Sequence, residues 1–154
     1  MGRVSAERVI GASLAEVWDL YFEPRSWGAW VDEFHAVDSI SNGYPEIGGK
    51  LVWHSGAAGR GQVVETVLDH EPRRLHRIRF ADPHAEGEQL TRFEIAGEGT
   101  KVDIELVYGL MGPGVFGPIT DRLFIRSQMR DMLVRSLERL RAEAQELASR
   151  GTAT

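Results

Sequence analysis

The chain has 154 residues, the size of one domain, and 42% of them are hydrophobic against 27% charged, a balance that excludes a disordered chain. It contains no cysteine, which excludes a disulfide framework, a thiolate metal site and a cysteine nucleophile. With 18 Lys+Arg against 23 Asp+Glu the formal net charge is -5, and no stretch is basic enough to mark a nucleic-acid surface, so a small molecule or another protein is the expected partner.

Arg3 to Ile10 is a short β-branched segment that reads as a first strand. Ser13-Leu14-Ala15-Glu16 has the spacing of a capping box, and Leu14, Val17, Trp18 and Tyr21 follow at helical intervals. Pro24 ends that helix, and Pro24 to Val31 reads as a second short one with Trp27, Trp30 and Val31 on its apolar side. Beyond Phe34 the period changes to two. Ser41-Asn42-Gly43-Tyr44 carries a turn signal, Lys50 to Ser55 reads as a strand, and Gly56 to Gly61 as a hairpin connection rather than a phosphate cradle, because the lysine and hydroxyl residue of a phosphate loop are missing.

Gln62 to His70, Leu75 to Phe80, Gln89 to Ala96 and Lys101 to Tyr108 are then strands joined by short turns, which favours antiparallel pairing. In the last of them Val102, Ile104, Leu106 and Tyr108 share one face. His76, Ile78 and Phe80 share a face of theirs, as do Thr91, Phe93 and Ile95. Gly109 to Gly117 is a glycine-rich loop, and Pro118 suits the first position of a helix running to about Ser149. Its apolar stripe is Met129, Met132, Leu133, Leu137, Leu140, Ala144 and Leu147, and Arg139 with Glu143 and Glu146 with Arg150 are spaced to pair on the wet side.

Strand runs closed by one long helix predict an α+β chain: a curved seven-stranded antiparallel sheet wrapped around the C-terminal helix, two short helices after the first strand, and one domain over residues 1–154. A hollow between helix and sheet follows if their side chains do not fill it. No apolar run approaches the roughly 20 residues that span a bilayer, and the N-terminus lacks a basic segment followed by an apolar core. Stable membrane insertion is therefore not expected, and a cytoplasmic location is.

Ser13-Leu14-Ala15-Glu16-Val17-Trp18 after a strand, Trp27 to Trp30, Pro45-Glu46-Ile47-Gly48-Gly49 leading into Leu51 and Trp53, Glu71-Pro72-Arg73-Arg74-Leu75, and Gly99-Thr100-Lys101-Val102 occur in the order seen in the START-like superfamily. The chain resembles that superfamily, with its polyketide cyclase/dehydrase-like, pollen-allergen-like and lipid-transfer members, over nearly its whole length. The resemblance implies a helix-grip fold and a deep cavity for a hydrophobic small molecule such as a lipid, an isoprenoid or a polyketide-like aromatic.

The wall of such a cavity is expected from Trp30, Phe34, Trp53, Phe80, Phe93, Tyr108, Phe116 and Phe124, with Met111 to Pro118 as a lid. Trp18 reads as core, whereas Trp30 and Trp53 stand between core and ligand contact. His76 and Tyr108 are the candidates for catalysis: a neutral imidazole on an apolar face can accept a proton, and a phenol at the end of an inward run can donate to a carbonyl. The bland readings are a bonded core histidine and a tyrosine reaching water. Thr66 and Thr91 are candidates to add hydroxyls to the lining. His35, His54, His70 and His84 look solvated, and no two histidines have metal-ligand spacing, so neither metal nor cofactor is expected.

Arg122, Arg126 and Arg130 read as a wet helix face. A binding protein is the first expectation, as a monomer or homodimer. A cofactor-independent cyclase or dehydratase is the second, and a protein-interaction module of the chaperone-activator type the third.

Overall fold

A computed structural model of the chain describes residues 1–57, 59–111 and 119–152, the side chains of 119–122 and 152 excepted. Strand β1 (Gly2–Ile10) leads into helix α1 (Leu14–Tyr21), a 3-10 turn at Pro24–Ser26 and the single-turn helix α2 (Trp27–Trp30). Six strands follow: β2 (Phe34–Ile40), β3 (Lys50–Ser55), β4 (Gln62–Glu71), β5 (Leu75–Ala81), β6 (Ala85–Ala96) and β7 (Gly99–Leu110). Helix α3 (Ile119–Thr152) closes the chain. The segment read as one helix from Pro24 to Val31 is thus a 3-10 turn followed by one α-helical turn, and it ends at Trp30 because Val31 adopts an extended ψ.

The sheet is antiparallel throughout, in the order β1-β7-β6-β5-β4-β3-β2, so the first strand returns to lie beside the last. Seven twisted strands curl, and α3 lies in the curve, packed most closely against β1 and α2: this is the helix-grip arrangement.

Local chemistry explains the joints. Ser13 Oγ accepts from the Glu16 amide and Glu16 Oε1 accepts from the Ser13 amide, each at 3.2 Å, which completes the capping box. In β7 the alternation is strict: Val102, Ile104, Leu106 and Tyr108 are buried while their neighbours are not. The stripe of α3 places Leu133, Leu137, Leu140 and Ala144 in the core with Met129 and Met132 partly buried, and leaves Leu147 exposed at its end.

Asp32, directly after α2, joins that helix to α3. Its amide donates to Ser136 Oγ at 2.9 Å, and its carboxylate accepts from Arg135 Nε and Nη2 at 3.1 and 2.9 Å and from Arg139 Nη1 at 3.1 Å. Arg139 therefore binds Asp32 rather than Glu143, whereas Arg150 does pair with Glu146 at 2.6 Å. Charge-assisted bonds to a carboxylate that is only 5% exposed outweigh an i,i+4 contact in water. Asp32→Ala should lower stability by about 2 kcal/mol, less than three buried bonds would give because both guanidiniums are half-exposed and regain water. Urea unfolding of the two chains measures it.

Candidate functional site

A hollow of about 90 Å³ lies between α2, α3 and the concave face of β3 to β7. Aromatic side chains form one side of it. Trp27 and Trp30 come from α2, where the 3-10 turn and helix turn both indoles inward; their Nε1 atoms donate to Tyr21 O at 2.8 Å and Ser26 Oγ at 3.2 Å. Phe34 of β2 and Trp53 of β3 face each other with ring centres 5.4 Å apart. Tyr44 stands in the β2–β3 connection, 6.1 Å from both the Trp27 and His76 rings. It is held there by the Gly48-Gly49 turn: Gly48 has φ +85, and a Cβ on Gly49 would meet the Tyr44 Cα at 2.8 Å. That turn is pinned to β4 by Gly48 N and Val67 N donating to Val67 O and Gly49 O, both at 2.9 Å.

The sheet supplies polar groups. Tyr21, Glu65, His76 and Gln89 line the hollow with Ile78 and Ile104 between them, and Asp32, Arg60 and Ser136 sit toward α3. Trp53 Nε1 donates to Glu65 Oε2 at 2.8 Å. Burial pushes the Glu65 pKa above the ordinary carboxylate value, against the Trp53 hydrogen bond and the charge of Arg60, so its proton is retained beyond the usual range. Burial likewise raises the Tyr44 hydroxyl and pushes Tyr21 up to about 12; the Tyr21 hydroxyl lies 2.9 Å from Thr91 Oγ1.

His76 is 3% exposed, and burial pushes its pKa down to about 3, with a smaller contribution from the neighbouring His70. It is a neutral imidazole. Its Nδ1 lies 3.0 Å from His70 Nδ1, and among the described residues its Nε2 is the buried side-chain polar atom that has no hydrogen-bond partner. Such an orphan is uncommon in a folded core and marks a place where a partner fits.

Arg60 borders both this hollow and an open cleft of about 460 Å³ beside α3, lined by Glu33, His84, Ile125, Gln128 and Met129 among others. Its guanidinium lies over the Trp53 and Phe80 rings at 5.5 and 5.2 Å, and its Nε donates to Asp82 Oδ2 at 2.9 Å. Asp82 in turn accepts from the His84 and Ala85 amides. Asp32 and Met132 also border both spaces.

The structure brings Trp30, Phe34, Trp53 and His76 of the expected site together around this hollow. Phe80 is buried behind Arg60, and Phe93 lies in an aromatic cluster with Trp18 and Tyr21, at 4.8 and 5.2 Å. Trp18 itself is only partly buried, packed over His70 at 5.2 Å. Tyr108 is inward and buried but stands away from the hollow, four residues and roughly 13 Å along β7 from Ile104. It borders a separate cleft with Gly2, Arg3 and Arg126. Phe124 is 63% exposed and lines neither the hollow nor the two clefts. Phe116 and residues 112–118 of the expected lid lie outside the described residues, as does the side chain of Arg122.

Three further placements differ from the sequence reading. Thr66 pairs with the outward Arg79, so only Thr91 of the two threonines is inward. His70 is buried, not solvated: Leu68 is an extra residue in β4 between Val67, opposite Ile78, and Asp69, opposite Arg77, and this bulge sets His70 opposite His76. Glu65 faces inward and is absent from the expected site, although it shares the phase of Val63 and Val67, a signal legible in the sequence.

Among the described residues no helix is long and apolar enough to cross a membrane. Solved structures share the fold. The Zhui aromatase/cyclase of Streptomyces sp. R1128 is 16% identical with a TM-score of 0.76, covering 94% of this chain and 93% of its own. TTHA0849 of Thermus thermophilus is 24% identical with a TM-score of 0.70, covering 96% and 99%. The Aha1 dimer of Colwellia psychrerythraea is 14% identical with a TM-score of 0.61, covering 92% and 97%. No curated protein matches the sequence. The family described as polyketide cyclase/dehydrase and lipid transport matches residues 1–145, nearly the whole length, and the chain belongs to that family.

Proposed function

We propose that the protein binds a planar, oxygen-bearing small molecule of the polyketide-like aromatic class, its polar edge in the inner hollow and its remainder along the cleft beside α3. The observation that carries this is the lining. Flat indole and phenyl faces surround Glu65, His76, Tyr21, Tyr44 and Gln89, a set that offers hydrogen-bond donors and acceptors to hydroxyl and keto groups. An acyl chain or an isoprenoid would leave His76 Nε2 without a partner, which is unfavourable. The hollow alone, at about 90 Å³, is well under the roughly 300–1,000 Å³ of a small-molecule site, so the cleft must share the ligand.

A second reading, a cofactor-independent cyclase or dehydratase, is favoured by one pairing: burial holds the Glu65 proton to higher pH than an ordinary carboxylate, while His76 stays neutral with Nε2 unpartnered, an acid and a base set apart by their surroundings. The interaction-module reading would need the hollow filled.

Titration with emodin (a trihydroxyanthraquinone), farnesol and lauric acid, followed by tryptophan fluorescence and native mass spectrometry, tests the proposal. Emodin should bind one to one, and Trp53→Leu should weaken it at least tenfold. Tighter binding of lauric acid or farnesol, or no binding of emodin, would overturn it.

A further inference from the structure

The hollow holds one group whose surroundings its own packing does not explain. His76 is 3% exposed, lines the hollow, and has Nδ1 within 3.0 Å of His70 Nδ1 while Nε2 has no partner among the described residues. A core histidine kept only for packing would end its polar atoms on backbone or hydroxyl groups. Here the partner is a second imidazole, and that imidazole, 9% exposed, is the one nearer the surface. We propose that His70 and His76 form a proton relay that carries a proton from the hollow to solvent through the Nδ1–Nδ1 hydrogen bond. This deepens the second functional reading, in which a bound keto or phenolic compound gives up a proton.

The transfer conserves protons and charge. In the starting tautomers His76 carries its proton on Nδ1, donates it to the bare Nδ1 of His70, and presents a lone pair at Nε2; His70 carries its proton on Nε2. A ligand C–H or O–H bond breaks, its electron pair stays on the ligand as an enolate or phenolate, and the proton bonds to His76 Nε2. The His76 Nδ1 proton passes to His70 Nδ1, and the His70 Nε2 proton leaves to water. Both rings end neutral in the opposite tautomers, and the reverse passage resets them.

The surroundings suit such a pair. Phe22 packs edge-on to both rings, at 4.8 Å from His76 and 5.3 Å from His70, Trp18 covers His70 at 5.2 Å, and Tyr21 and Tyr44 flank His76 at 6.5 and 6.1 Å. The charged groups that face the pair are on the His70 side: Glu46 from the β2–β3 connection and Asp69 of β4 act on His70, whereas the titratable group that acts on His76 is His70 itself. Burial holds the pKa of both rings below the ordinary value, so the pair is neutral and can exchange tautomers near neutral pH. Two acidic groups at the outer ring favour proton arrival there.

Imidazole nitrogen NMR on the nitrogen-15-labelled protein tests the relay without any ligand. A scalar coupling between the two Nδ1 atoms across an N–H···N bond is expected, and its absence would overturn the proposal. His70→Phe keeps an aromatic ring under Trp18 but cannot pass a proton. It should slow solvent exchange of the His76 ring proton at least tenfold, with amide exchange at Arg77 and Ile78 unchanged. His70→Asn, which can bond to His76 Nδ1 yet cannot relay, serves if the Phe variant unfolds and should show the same slowing. Unchanged or faster ring exchange in a folded variant means that the proton comes through the hollow, and the relay is wrong. Failure of emodin to bind would remove the ligand proposal and leave these readouts standing, so the two failures are distinguishable.

Discussion

Glu65→Gln should melt at a higher temperature than the unmodified chain at pH 8, and the advantage should shrink to nothing as the pH falls to about 4, near the ordinary carboxylate pKa. The sign follows from linkage. Burial raises the Glu65 pKa above its ordinary value of 4.5, so between that value and its folded value the native state holds a proton that the unfolded chain has released. Stability is therefore lost as pH rises through this window. Glutamine cannot ionise, and its carbonyl oxygen can still accept from Trp53 Nε1, so the bond at 2.8 Å survives while the penalty disappears. The same variant lacks the acidic proton. If the site performs acid–base chemistry, turnover should fall roughly 10²–10⁴-fold, the usual contribution of a positioned general acid, while emodin binding changes little. Thermal melts from pH 4 to 8 decide the first part: parallel curves for the two chains would place the ionised carboxylate in water and undo the assignment of Glu65 as a retained acid.

Leu133→Ala acts on the same hollow from the α3 side. Leu133 is 3% exposed and lines the hollow, so the truncation removes buried contacts and leaves space behind, which costs about 2–5 kcal/mol. For a chain of this length that corresponds to a melting temperature lower by roughly 5–15 °C. Leu133 belongs to the hydrophobic core, so the space added is bordered by apolar side chains, and apolar space of that kind takes up small aromatics. Millimolar indole should therefore raise the melting temperature of the variant and leave the parent chain unmoved, by preferential binding to the folded state. Differential scanning fluorimetry with and without indole reads both effects. A loss under about 2 °C would mean that α3 can collapse into the gap and that its grip does not define the hollow.

Much of the architecture is legible in the residues. The capping box at Ser13, the two-residue period of β7 and the long stripe of α3 each rest on local chemistry that nothing distant overrides. The candidate site is legible in part. The aromatic residues Trp30, Phe34 and Trp53 and the inward phase of His76 follow from period alone, but which aromatics meet depends on how far along each strand they lie, and so Tyr108, one end of β7, stands away from Ile104 in the middle. Arg60 is invisible to such reasoning for a different reason: its role comes from stacking on Trp53 and Phe80 and bonding to Asp82, contacts made across three separate stretches of chain. Phe124 departs from expectation because the inward stripe of α3 runs through Ile125, Met129 and Leu133, and at 100° per residue Phe124 falls on the opposite face.

The irregularity at Leu68 has a consequence for ionisation. Had β4 continued its pairing without a break, the residue across from His76 would be Asp69, and a carboxylate beside a buried ring would hold it as imidazolium. The one supernumerary residue turns that acid to the outside and offers an uncharged ring in its place. A small skip in hydrogen-bond register thus settles whether the unpartnered Nε2 of His76 belongs to a charged ring held by a carboxylate or to a neutral ring with a free lone pair.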